Sequence, residues 1–523
     1  MASTVDEVFT TIGEFRQYQW YLLTVMGLAV VVITSFPIMI PSFITAEPPW
    51  MCVDGFMNST VCQFNGTISL TSDNYKERCH MPREAWKFVD DFTSVVTEHD
   101  LVCDNSIILS IAQSCLWIGM LISLLVSGQL SDYLGRKIIL CLGCGVIIVA
   151  TWVMVFPKVF AVFIVCRVFI GIGSGFVNTT LFPLLTEFTT EKYRSWMGIG
   201  SFIFWAVGIS ILPLIGFLVP AWRTFLLVTA ISATPFLFTW WLIQESPRWL
   251  LLHNKEEQAK VVFSKIAVKW NKRQLPNNLL LQKPPSTEKR ANVFQLFRTW
   301  NMAKKTLISW NLWFVNALVY YGVSFGSVDL GGNIYLNSFL ISVVEIPSNF
   351  CCIWSVRRFG RKKSVVIPMI VAFIASTIPV AIPSNESSEI VGSRVTAVVI
   401  AKFFINFSFS GIYLWCTELF PTVIRSTGLS TCSSMARIGS FLASYIIWLI
   451  RIHAALPFSI MGVLCLQAAV LGMFLPETKG KPTLETMSDL NGIKSNGFDQ
   501  SNTNGEGEIE LKENVLNKTM TAT

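Results

Sequence analysis

The chain has 523 residues, 52% of them hydrophobic and 14% charged, with a formal net charge of +7. Soluble domains carry about a quarter charged residues, so this composition, with a mean hydropathy of +0.54, excludes an ordinary soluble fold. The basic residues flank apolar stretches and build no patch of their own, which leaves a nucleic-acid-binding role without support.

In chain order, residues 1–18 precede a first apolar stretch at 19–44. That stretch is too long for a signal core and reads as a membrane span. A polar loop follows at 46–105. It carries sequons at Asn58 and Asn65 and four cysteines, Cys52, Cys62, Cys79 and Cys103. An even number of cysteines in an oxidising compartment predicts two disulfides, with three pairings open. Further apolar stretches lie near 106–130, 138–157, 159–184, 195–218 and 223–244. Residues 245–305 read as a linker with a charged helix near 255–272, whose Val261, Val262, Phe263, Ile266 and Ala267 make an apolar stripe. Six more stretches lie near 306–326, 333–356, 364–383, 393–416, 427–450 and 456–475. Residues 477–523 form a tail whose composition predicts disorder from about 487. Continuous apolar runs of about 20 residues predict helices and not a barrel. The expected fold is all-α and integral to the membrane: twelve transmembrane helices in two six-helix lobes, 19–244 and 306–476.

The two lobes repeat each other. Gly135-Arg136-Lys137 matches Gly360-Arg361-Lys362 at an offset of 225 (360 minus 135). Glu187, seven residues before Arg194, matches Glu418 before Arg425 at an offset of 231 (418 minus 187). Glu245-Ser246-Pro247 matches Pro476-Glu477-Thr478 at 232 (477 minus 245). Many transporters are built by such duplication. The basic residues of these motifs fall in alternate short loops, which puts those loops and both termini in the cytoplasm and loop 46–105 outside.

Gly128, Asp132, Gly135, Arg136 and Lys137 form one cluster between spans two and three. Gly128 is expected to let another helix approach closely. Asp132 sits at a helix end, positioned for Arg136 or a neighbouring helix terminus. Glu187 with Arg194, Glu418 with Arg425, and Glu245, Arg248, Arg361 and Glu477 are expected to form charge clusters on the same side, latching it in one state and releasing it in the other.

The loop from Gly128 to Lys137 resembles the signature loop of the major facilitator superfamily, and the charge clusters resemble its cytoplasmic gate network. Glu245-Ser-Pro-Arg-Trp-Leu250 and Leu475-Pro-Glu-Thr-Lys-Gly480 are similar to segments shared by sugar porters and by the organic ion transporters of solute carrier family 22. The long four-cysteine loop is typical of the second group. Span seven, Asn311 to Gly322, lacks the paired glutamines of sugar porters. The stretch Glu418 to Arg425 is close to the family 22 pattern. Leu318 to Gly322, Asp329 to Tyr335 and Val344 to Ser348 resemble the carnitine/ergothioneine branch and its fly-like relatives.

Arg437 stands where cation transporters of the family generally have Asp. Asn349 stands where anion transporters often have Lys. The resemblance therefore implies a plasma-membrane carrier of small organic ions, with zwitterions such as carnitine or ergothioneine as the first expectation. Simple organic cations or anions are the alternative; a sugar porter and a non-transporting receptor stand further back. The expected partners are the substrate and the lipid bilayer, and a monomer is expected to suffice.

The residues themselves point the same way. A charge near the bilayer midplane costs several kcal/mol, so it faces a partner or a water-filled path. Glu345 falls about twelve residues into span eight and Arg437 about ten into span eleven, both near mid-depth at about 1.5 Å per residue. In one cavity between the lobes, Arg437 would hold a carboxylate and Glu345 an amine or quaternary ammonium. Tyr320, Tyr321, Trp205, Phe407 and Tyr413 would offer aromatic faces to the cationic end. The alternative is that Glu345 and Arg437 pair with each other or with backbone and serve folding. Lys402 in span ten is a further buried cation able to attract anions, and Arg167 in span four reads as structural. No metal cluster, nucleophile motif or phosphate loop supports an enzyme. No cofactor is implied, while coupling to sodium or protons stays open, with Glu345 a candidate for it.

Overall fold

The computed structural model describes residues 4–53, 72–89, 92–273, 293–382, 388–421, 424–453 and 455–480, with 62, 64, 66–68, 281 and 282 between them. Ten helices among these residues are long and apolar enough to cross a membrane. They are Gln17–Ile44, Cys103–Leu134, Arg136–Val155, Phe160–Glu187, Lys192–Leu218, Trp222–Leu242, Ile334–Phe359, Arg361–Ala381, Glu389–Leu419 and Arg425–Arg451. Trp300–Phe325, diluted in hydrophobicity by Lys304, Lys305, Asn311 and Asn316, takes the seventh place. Leu456–Gly472, only 17 residues long, takes the twelfth. The result is an all-α membrane fold of two lobes. The sequons at Asn58 and Asn65 and the tail beyond Gly480 lie outside the described residues.

Two spans are interrupted. In the first, a π-helical segment, Val30–Ser35, precedes Pro37 and Pro41. In the eighth, Ile334–Val343 ends one residue before Glu345–Phe359 begins. Pro347 causes this second break, because it has no N–H to give the carbonyl of Val343. Glu345 thereby sits in the first turn of a half-helix, where the helix dipole favours a negative charge.

Glycine packs the lobes. A methyl on Gly119 or Gly171 would overlap backbone of the facing helix, at Val168 and Leu116 respectively, and one on Gly439 would overlap Phe314. The glycines of Gly171-Ile-Gly173-Ser-Gly175 are thus helix contacts.

Outside the spans, the linker coils under the N-terminal lobe. The expected charged helix is present as Glu256–Ser264 followed by a π-helical turn, Lys265–Trp270. Val262, Phe263, Ile266 and Ala267 are buried, but Val261 is 53% exposed and lies off the stripe, with Ala259 in its place. Residues 5–12 also form a helix, capped by Thr4 and Glu7. It packs Phe9 on Phe263 and holds Asn271 through the carbonyl of Ile12.

The long loop folds on the opposite face, called here the outer face. Trp50–Cys52 pairs antiparallel with Trp86–Phe88. Both disulfides form, as Cys52–Cys62 and Cys79–Cys103.

The lobes meet along two seams. Span two meets span eleven through Ser110 Oγ on the Ser444 carbonyl, 3.1 Å, and Ser114 Oγ to Tyr445 OH, 3.0 Å. Span five meets span eight where Phe217 and Gly216 lie against Tyr335. The two seams exchange under a six-span shift, which is the signature of an internal two-fold.

Candidate functional site

The paired motifs build the same object twice. Gly135 has φ +114° and Gly360 φ +95°, a backbone that only glycine adopts readily. Each glycine lets a carboxylate approach the next helix N-terminus. Glu245 accepts N–H bonds from Arg136 (3.1 Å) and Lys137 (3.2 Å). Glu477 accepts from Arg361 (2.9 Å) and Lys362 (3.0 Å). A methyl on Gly360 would come within 2.6 Å of Glu477 Oε2. These are capped helix starts with the charge sign the dipole favours.

Around each cap sits an arginine. Arg136 bonds Asp132 at 2.7 Å and faces Glu187 at 3.5 Å. Arg361 bonds Glu418 at 2.6 Å. The expected pairs are therefore corrected. Glu187 meets Arg136, and Arg194 lies 3.8 Å from Asp6 of the N-terminal helix, which also takes Arg248 at 2.7 Å. Glu418 meets Arg361, and Arg425 donates to the Phe420 carbonyl at 3.4 Å. Seven residues along a chain that turns from one span into the next do not bring Glu187 and Arg194 face to face. At Gly128 an added Cβ would meet nothing within 4 Å, so the absence of a side chain there is not what admits a neighbouring helix.

Burial raises the pKa of Glu245 above its ordinary value of 4.5, and the N–H bonds of Ser246, Lys137 and Arg136 only partly offset this. For Glu477 burial also acts upward, but N–H bonds from Lys479, Arg361, Lys362 and Thr478 outweigh it and the pKa falls.

At mid-depth the two candidate charges part company. Glu345 does not pair with Arg437. It lies 2.9 Å from Lys402 Nζ, with both side chains essentially inaccessible at 1% and 0%. Lys402 also donates to Ser324 Oγ at 2.6 Å and sits 3.2 Å from the centre of the Tyr320 ring. Asn406 and Ser410 bond the side chain of Asn349 one turn further along the same helices, at 3.3 and 2.7 Å. Arg437 is 9% exposed, its Nε buried without a hydrogen-bond partner. Among the described residues no carboxylate pairs with it. Tyr321 and Tyr413 lie within its electrostatic reach. Glu345 and Lys402 cancel, and Arg437 leaves the region with one uncompensated positive charge.

A cluster of aromatic rings includes Tyr321 and Tyr413, the two rings within reach of Arg437. Trp205 Nε1 donates to Tyr320 OH across the lobes at 2.8 Å. Tyr320 and Tyr321 are 4.9 Å apart, Trp117 lies 4.5 Å from Tyr321, and Phe202 lies 5.7 Å from Tyr413. Phe409 touches Tyr320, Trp313 and Tyr413. Phe407 does not belong: it packs with Cys352, Val356 and Phe403 on another side of span ten. Lys402, Asn406, Phe409 and Tyr413 follow helical spacing, and Phe407 is off that row. The row was visible in the sequence and would have selected Phe409; nothing in the sequence selects Trp117, Phe202 or Trp313. Two clefts between the lobes lie outward of these rings, one lined by Met39, Phe43, Ser324 and Ser338 and the other by Thr45, Glu47, Ser444 and Arg451.

The sequence matches the family described as "Sugar (and other) transporter" over residues 53–490. It is 31% identical to the "Organic cation transporter protein" of Drosophila melanogaster, over 92% of this chain and 94% of that one. It is 30% identical to the human "Organic cation/carnitine transporter 2", over 79% of this chain and 74% of that one. The chain belongs to solute carrier family 22. Its fold is that of the major facilitator superfamily: the inward-open xylose transporter XylE of E. coli superposes with a TM-score of 0.60 at 15% identity, over 91% of this chain and all of that one. This member of family 22 is accordingly a multi-pass membrane transporter of organic ions and not an enzyme.

Proposed function

We propose that this family 22 member carries small organic ions bearing a carboxylate across the plasma membrane, zwitterions such as carnitine or ergothioneine first among them. The observation that carries the reading is Arg437, which is 9% exposed, has its Nε buried without a hydrogen-bond partner and meets no carboxylate among the described residues. A buried unpartnered guanidinium is costly, and a substrate carboxylate relieves that cost through paired hydrogen bonds. Glu345 is already occupied by Lys402, so the cationic end of a zwitterion falls to the rings of Tyr320, Tyr321, Trp205 and Tyr413. The 30% likeness to a carnitine transporter supports the same class. The aromatic cluster also favours a second reading, a simple organic cation that ignores Arg437.

Alternating access follows from the two lobes rocking about this site. The capped clusters around Arg136 and Arg361 latch the inner face in one state and release it in the other. The monomer holds the whole path, and both termini lie in the cytoplasm. Coupling to sodium or protons is tested together with the substrate.

The test is uptake of labelled carnitine, ergothioneine, tetraethylammonium and a dicarboxylate into cells expressing the chain, with and without sodium. Arg437→Ala is expected to lower carboxylate uptake about 10- to 100-fold, the weight of a charged hydrogen-bonded contact of about 1.5–3 kcal/mol. Uptake of tetraethylammonium alone, indifferent to the substitution, would replace this reading with the cation carrier.

A further inference from the structure

We propose that Glu47, Arg78 and Arg451 form the outer gate of the transport cycle, with Glu47 as its fixed half and Arg451 as the part that leaves. This rests on family membership and not on which organic ion is carried.

Glu47 stands just past the end of span one, with its carboxylate only 2% exposed. It takes Arg451 Nη2 at 3.0 Å, from the far lobe at the end of span eleven. It also pairs with Arg78 from its own lobe's loop. Arg78 is itself fixed: it donates to Tyr75 OH at 2.7 Å and lies over the rings of Tyr75 and Trp86. The short helix Asp73–His80 that carries Tyr75 and Arg78 is stapled to the foot of span two by Cys79–Cys103. Lys76 on the same helix reaches the Ile452 carbonyl at 3.2 Å, and Trp448 Nε1 reaches Ser106 Oγ at 3.1 Å, both across the lobes. Beneath this ring lies a cleft between the lobes, lined by Thr45, Glu47, Gln113, Ser444, Trp448 and Arg451. The ring is therefore the cover of the passage from the outer face toward the site.

The two arginines have different tasks because they ride on different lobes. When the lobes part on this face, Arg451 goes with the C-terminal lobe and Arg78 stays. Glu47 is never left as a buried, unpaired charge, which would be costly. Arg451, already 19% exposed, moves toward water. The contact can thus break and re-form in every cycle, and the disulfide keeps the receiving half in place.

The experiment uses the full chain in cells with Ser444→Cys as a reporter inside the cleft, the signal of the parent chain being subtracted. A charged, membrane-impermeant methanethiosulfonate is added outside and the labelling rate is read without substrate. Arg451→Gln is expected to raise that rate about tenfold, the shift that about 1.4 kcal/mol gives a two-state balance. Arg451→Lys, which keeps the charge, is expected to stay near the parent rate. Should Arg451→Gln fail to reach the surface, Lys76→Ala with Trp448→Phe removes the neighbouring cross-lobe bonds while leaving Glu47 paired, and a rise of a few-fold is expected. Parent-like labelling in a variant present at normal surface level would overturn the gate. A merely structural salt bridge would change surface level and leave the labelling rate of the surviving protein alone.

Discussion

Arg167 shows how a buried charge finds employment away from any substrate. It is 2% exposed in span four, and its Nη1 donates to the carbonyl of Pro37 at 2.7 Å. That carbonyl lacks its helical partner because the residue four places on is Pro41, which has no N–H. The guanidinium fills the gap in the neighbouring helix. Arg167→Met is expected to lower the melting temperature in detergent, by roughly the 1–3 kcal/mol of an orphaned buried acceptor. Adding Pro41→Ala returns an N–H to the first span and should recover part of that loss. Strictly additive effects in the double-mutant cycle would mean that Arg167 serves something other than this carbonyl. The presence of Arg167 and Lys402 inside apolar runs was plain in the sequence. Their partners were not, since a carbonyl freed by Pro41 and a carboxylate 57 residues away (402 minus 345) are joined only when helices pack.

Among the elements, the starts of spans three and nine carry the duplication in its clearest form. Both are capped by a carboxylate more than 100 residues downstream, across a glycine of positive φ. Their environments differ, and so should their pH dependence. The native pKa of Glu245 is raised, so in the window above 4.5 the folded state holds more protons than the unfolded one. Its contribution to stability therefore falls as pH rises through that window. The native pKa of Glu477 is lowered, so its stabilisation is present above 4.5 and is lost as pH falls below it. Melting temperature recorded against pH should show Glu245→Gln flattening the mildly acidic limb and Glu477→Gln flattening the more acidic one. Equal effects from the two substitutions would contradict the difference in burial. The repeat of Gly-Arg-Lys with a distant Glu placed these residues in matching charge clusters; that each Glu caps a helix start came from the packing, since a helix start needs its donors satisfied wherever it occurs. The discontinuity at Val344 was less legible: Pro347 signals a break, but a proline is also tolerated within a membrane helix.

For the whole molecule, each lobe closes its own inner cluster, and the lobes are tied to each other at mid-depth and on the outer face. A chain cut between residues 274 and 292 and expressed as two pieces is therefore expected to reassociate, since neither cluster needs the other lobe. Co-purification of the halves with recovered uptake checks this; halves that fold only when joined would show that the linker contributes more than connection. Trp205 and Tyr320 link the lobes through a 2.8 Å hydrogen bond, so the rings proposed to receive the substrate also hold the lobes together. Substrate binding and lobe motion then act on one set of contacts, as an alternating transporter requires.

The sequence by itself determined the membrane class, the twelve spans, the duplication and the family, because apolar length, positive loops and motif spacing are properties of the chain read in order. It also determined that Arg437, Glu345 and Lys402 lie at depth. Only the tertiary structure decided that Glu345 belongs to Lys402, that no carboxylate among the described residues meets Arg437, that Phe409 and not Phe407 joins the aromatic ring set, and that Glu47 bridges the lobes. Those outcomes depend on the rotation and tilt with which helices pack, and a turn of one residue, about 100° around a helix, changes which side chain faces inward.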